Sequence, residues 1–137
     1  MKLLKILFST LILTSSTMAL AQLPPDVAQL QTRWDEVNYL LKDKEQKIAF
    51  EQLVVQAEKV VSANTNSTEA LIWLGVIKAS FAGAKSAIDF SAMSLAKSAK
   101  IDFEKALTAD EYALQGSSYT NLGVLYYKVP GWPIGFG

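Results

Sequence analysis

Cysteine and histidine are both absent from the 137 residues of this chain. Without cysteine there is no disulfide, no thiol nucleophile, no thiolate metal site and no lipid-modified N-terminal cysteine. Without histidine the commonest general base and the commonest zinc ligand are missing. Charge of one sign is missing too, because 13 basic and 13 acidic side chains balance. That balance gives no electrostatic reason to expect nucleic acid or an acidic lipid surface as a partner. No glycine-rich phosphate loop occurs, no segment alternates with period two, and nothing after residue 21 is long and apolar enough to span a bilayer.

What is present is apolar. Half of the residues are hydrophobic, enough for a core in a chain of one domain. Residues 1–21 form a targeting segment. Lys2 and Lys5 precede an apolar run from Leu3 to Leu13, and Ala19-Leu20-Ala21 is an A-x-A cleavage pattern. The run is short for a membrane span, and Ser15, Ser16 and Thr17 interrupt it. Cleavage after Ala21 would remove two lysines, tip the charge to a slight acidic excess and release residues 22–137 into the periplasm or medium, with no stable membrane insertion.

Helical periodicity runs through the remainder. Val27, Leu30, Trp34, Val37, Leu40 and Leu41 mark one face of a first helix, with Asp26 as its N-cap. The charged run Lys42–Lys47 reads as a connector. Phe50, Leu53, Val54, Ala57 and Val61 mark a second helix over 48–61. The polar run 62–68 is a loop, with Ser67 or Thr68 capping a third helix whose core face is Leu71, Trp73, Leu74, Ile77 and Phe81. A turn near 86–91 precedes a fourth helix through Ala99, Phe103, Ala106 and Leu107. A fifth spans 117–128, where Pro130-Gly131-Trp132-Pro133 ends it. Five helices with short polar connectors predict an all-α antiparallel array.

An internal repeat refines this. Tyr119-x2-Leu122-Gly123-x2-Tyr126 and Ala99-x3-Phe103-x2-Ala106 reproduce, at every marked position but the first, the two-helix pattern of a repeat of ~34 residues. Leu71-x2-Leu74-Gly75 matches the first-helix pattern, with Lys78 where tyrosine is usual. The earliest pair is weaker: Trp34-x2-Val37, then Phe50, Val54 and Ala57. Glycine and alanine at these positions let two helix backbones approach closely. On these residues the chain resembles the tetratricopeptide-repeat family. The resemblance implies an α-solenoid with repeats near 27–62, 68–111 and an incomplete 115–137. Gly75 and Ala99 lie 24 residues apart, against ~12 in a plain repeat. The second repeat therefore carries either an inserted loop or longer helices, and Ala79, Ala82, Gly83, Ala84 and Ala87 favour longer helices.

Phe81-Ala82-Gly83-Ala84-Lys85-Ser86, Ser94-Leu95-Ala96-Lys97 and the run Val129–Gly137 resemble a group of exported bacterial tetratricopeptide proteins. There is a more distant likeness to the tetratricopeptide component associated with tripartite ATP-independent transporters. The pattern calls for a helix where 129–137 carries prolines, glycines, Trp132 and Phe136. The expectation is a piece of a longer repeat protein, with Leu122, Leu125 and Tyr126 poorly covered; the alternative is an aromatic tail that folds back as its own cap.

Candidate chemistry is sparse. Ser94-x-x-Lys97 matches the S-x-x-K of penicillin-recognising enzymes, but their companion S-D-N and K-T-G motifs are absent. Asp102 and Glu104 beside Lys100 and Lys105 read as solvated helix surface. No catalytic residue, metal site or cofactor is expected. Trp34, Trp73 and Tyr119 are expected in the core. Tyr39, Lys78, Tyr112, Tyr127 and Trp132 are the candidates for a partner-facing surface. The expected role is a non-catalytic periplasmic scaffold for a protein or peptide partner. The alternative is a ligand-binding accessory of a solute transport system, which predicts a closed apolar pocket.

Overall fold

A computed structural model describes residues 22–86, 88–131 and 133–137. Residues 1–21, expected to be a targeting segment, together with Ala87 and Trp132, lie outside these. The described residues are helical, with no strand among them.

Helix α1, Pro25–Asp35, starts with proline at its first position, where the missing N–H is no loss. Asp26 is therefore inside the helix rather than its N-cap. Its carboxylate accepts from Asn64 Nδ2 at 2.6 Å, tying the start of α1 to the end of the next helix. One π-helical turn, Glu36–Leu40, continues α1. Helix α2, Asp43–Ala63, begins five residues before the apolar face does. The charged run expected as a connector is its first turn and a half. Asp43 and Glu45 suit a helix N-terminus, and Lys and Gln are good helix formers. Gln46 Nε2 turns back to donate to the carbonyls of Val37 and Asn38, at 3.0 and 3.2 Å.

Helix α3, Thr68–Ala84, is capped by Ser67, whose Oγ accepts from Ala70 N at 3.1 Å. Helix α4, Phe90–Ala109, follows a five-residue connector. The residues between Gly75 and Ala99 thus lie mostly in two long helices, with only a short connector between them. Helix α5, Ala113–Lys128, opens on Leu114, Gln115 and Gly116 in left-handed conformation and is regular from Ser117.

Consecutive helices pack against each other, and α3 also touches α1 and α5. Helices α1, α3 and α5 form one layer, and α2 and α4 the other. Two apolar clusters result. Val27, Leu30, Val37, Phe50, Leu53, Leu74, Ile77 and Phe81 join α1, α2 and α3. Ile72, Ala99, Phe103, Ala106, Leu122 and Leu125 join α3, α4 and α5. Helix α3 belongs to both, which requires apolar residues on opposite faces. Its second face, led by the buried Ile72, is blurred in the sequence because the first overlaps it.

Aromatic and small-residue contacts fasten α3 to the helices on either side of it. Trp34 and Trp73 meet edge to face at 5.7 Å, and Phe50 stacks on Phe81 at 5.7 Å. Gly75 lies under the Phe103 ring so closely that an added Cβ would fall 2.7 Å from Cε1. Gly123, in the corresponding position of α5, faces open space. Leu122 and Leu125, expected to be poorly covered, are buried against α3 and α4. Tyr126 meets Phe136 edge to face at 5.6 Å as the tail folds back over α5.

Candidate functional site

The α3 residues Val76, Ala79, Ser80 and Gly83 are mostly small and leave unfilled space beside that helix. The space is a groove of about 1080 Å3, open to solvent. Its walls are Trp34 and Asn38 from α1 and the π turn, Ile88, Phe90 and Met93 from the connector and α4, and Val124 and Lys128 from α5. Pro130 and Ile134 of the tail border one end. The alanines and glycine that sequence reasoning assigned to close helix packing therefore also floor a groove. No period in the sequence distinguishes these two uses of a small side chain.

Polar atoms in the groove are few, and several are already engaged. Trp34 Nε1 donates to Ser80 Oγ at 2.8 Å, and Asn121 Nδ2 donates to Ser117 O at 2.9 Å. Asp89 caps α4, accepting from Ser91 N at 2.9 Å and Ser91 Oγ at 2.6 Å. These bonds, with Lys85 at 3.4 Å, hold the Asp89 carboxyl below its ordinary range. Lys128 forms no ion pair among the described residues. The arrangement suits an apolar occupant with few polar groups.

A second feature lies inside the fold. Lys78 Nζ donates to Asp102 Oδ2 at 2.8 Å, and both residues are buried, at 8 % and 6 % exposure. Glu58 of α2 stands 4.0 Å from the same ammonium. Two sequence expectations are corrected here. Lys78 does not face a partner surface, because it sits on the α4-facing side of α3, paired with Asp102. Asp102 is not solvated surface, because it shares the buried face of Ala99, Phe103 and Ala106. That face was legible from spacing alone, since residue 102 is three after Ala99 and four before Ala106.

The remaining candidates are dispersed. Tyr39, Tyr112 and Tyr127 are exposed, on three separate elements. Tyr39 meets Trp34 edge to face at 5.6 Å, beside the groove. Trp132 lies outside the described residues. Tyr119, expected in the core, is 56 % exposed. It donates to Glu111 Oε2 at 2.8 Å, and that carboxylate raises the phenol's pKa above its ordinary value. Ser94 and Lys97 are exposed on α4, with no hydrogen bond between them among the described residues. No group of three or more acidic residues that could hold a metal ion occurs among the described residues. Lys100, paired with Glu104, lies 5.8 Å from the Tyr126 ring centre and 5.9 Å from that of Phe136. Its pKa is raised, first by the bond to Glu104.

No protein-family model matches the chain, and no curated protein and no solved structure matches it either.

Proposed function

We propose that this chain is a tetratricopeptide-like binding module, exported and non-catalytic, whose groove receives an apolar segment of a protein partner. The observation that carries it is the groove itself, an open, mostly apolar trough lined by residues of α1, α3, α4 and α5. Stacked helix pairs present such a face to peptide segments. The solenoid reading draws support from Gly75 seated beneath Phe103, since that close approach is what the repeat's glycine would serve. Export draws support from the charged, apolar and A-x-A order of residues 1–21.

Selection of displayed peptides against the chain tests the binding role, with Gly83→Trp as the blocked control. Gly83 lines the groove and has open space above it, so an indole there fills the trough without disturbing the core. Apolar peptides that bind the wild type and not Gly83→Trp are expected. A diverse library yielding no such peptide removes the proposal. N-terminal sequencing of the chain recovered from expressing bacteria tests export: Gln22 is the expected first residue, and an intact Met1 would refute it. The transport-accessory alternative called for a closed pocket. An open groove favours a segment of a macromolecule instead.

A further inference from the structure

The connector between α3 and α4 and the first residue of α4 each hold a large apolar side chain in water. Ile88 is 87 % exposed and Phe90 is 92 % exposed. The described residues on either side of them are bonded. Asp89 N donates to Ser86 O at 2.9 Å, Ser91 binds the Asp89 carboxylate, and Lys85 both pairs with Asp89 and sits 4.5 Å over the Phe81 ring. Burying each such residue is worth roughly 1.5–3 kcal/mol, so an apolar contact that covers both is favourable.

We infer that two copies of this chain pair by each placing Ile88 and Phe90 in the other's groove. The hook and the groove adjoin on one face of the same molecule, because Ile88 and Phe90 form the groove's rim. A patch holding both an apolar projection and an apolar recess can meet a second copy of itself. A two-fold axis then makes the contact twice and closes the assembly at a dimer. Charge fits the same arrangement. Asp89 lies between the two hook residues in the chain, and Lys128, without an ion pair among the described residues, lines the same groove from α5. Two-fold exchange brings the Asp89 of one copy toward the Lys128 of the other, an attraction that also sets orientation. The inference rests on the groove being a binding surface, and it makes the second copy a competitor of any partner.

The chain expressed from the full sequence is examined by sedimentation over a concentration series. A dimer is expected for the wild type. Ile88→Asp and Phe90→Asp should weaken it by roughly thirtyfold or more, as for central interface anchors. Tyr112→Asp, exposed and away from the groove, should leave it unchanged. Both hook positions are so exposed that the substitutions leave the core intact, which circular dichroism verifies. A second readout uses the absence of cysteine. Phe90→Cys and Val124→Cys chains, mixed and oxidised, should give a mixed disulfide in excess over either homodisulfide. A wild type that stays monomeric at all concentrations overturns the inference, as does a dimer indifferent to Phe90→Asp, or failure to form the mixed disulfide. A monomer that still binds selected peptides removes the pairing and leaves the groove's binding role. A dimer that takes no peptide does the reverse.

Discussion

Replacing Gly75 by alanine and, separately, Gly123 by alanine makes the same chemical change in the same kind of helix, yet the expected signs are opposite. Each substitution gains about 1 kcal/mol from helix propensity, because glycine is the more flexible residue in the unfolded chain. At Gly123 nothing lies within 4 Å of the new methyl, so the whole gain should appear. At Gly75 the methyl would lie 2.7, 2.9 and 3.0 Å from three atoms of the Phe103 ring. That ring is fully buried and cannot swing away. Overpacking of this kind costs about 1–3 kcal/mol, so Gly75→Ala should be net destabilising by about 1 kcal/mol, or about 4 °C in Tm. Urea and thermal denaturation, followed by circular dichroism, read both. Phe103→Leu should shrink the penalty of Gly75→Ala in a double-mutant cycle. If Gly75→Ala stabilises as much as Gly123→Ala does, the α3–α4 approach is looser than described, and the repeat reading loses its main geometric support.

Four further outcomes follow from features described above. Asp102→Ala should cost about 3–5 kcal/mol in urea denaturation by stranding the Lys78 ammonium, whereas the Lys78→Met, Asp102→Leu double variant should be near neutral or better. Glu58→Gln should change stability by less than about 1 kcal/mol, since that carboxylate is half exposed. Gly116→Ala should destabilise by about 1 kcal/mol, because φ is +73° there although the space is free. The Asp89 carboxyl, titrated by NMR, should lose its proton below the ordinary range for aspartate and move back up in Ser91→Ala. Because its pKa is lowered on folding, its contribution is present at neutral pH and fades as pH falls through the acid range.

The five helices were legible from apolar spacing, and so was the place of every connector but one. Spacing reports only turns that bury something. The first turn and a half of α2 buries little, so a helical segment looked like a charged linker. Lys78 and Asp102 were misplaced for the opposite reason. Lys78 was read as partner-facing and Asp102 as solvated surface, although Asp102 stands on the buried stripe of α4. A long-range pair cancels the cost that usually keeps such residues outside, and no local pattern reveals the partner. Tyr119 matched its motif position yet is exposed, because a motif position is buried only when a neighbouring helix covers it. The groove was not legible at all. It is a shape left between helices, and Ala79 and Gly83 give the same letters whether a neighbour fills the space or not.

Helix α3 has a core on each side, and this governs how the chain can come apart. Losing α1 and α2 would bare Leu74, Ile77 and Phe81, while losing α4 and α5 would bare Ile72 and the Gly75 backbone. Neither half can detach without wetting the middle of the molecule. Arrays of stacked units commonly fray from one end, unit by unit. Here the shared central element couples both ends, so the described residues should melt in a single step, with slow amide exchange concentrated along α3.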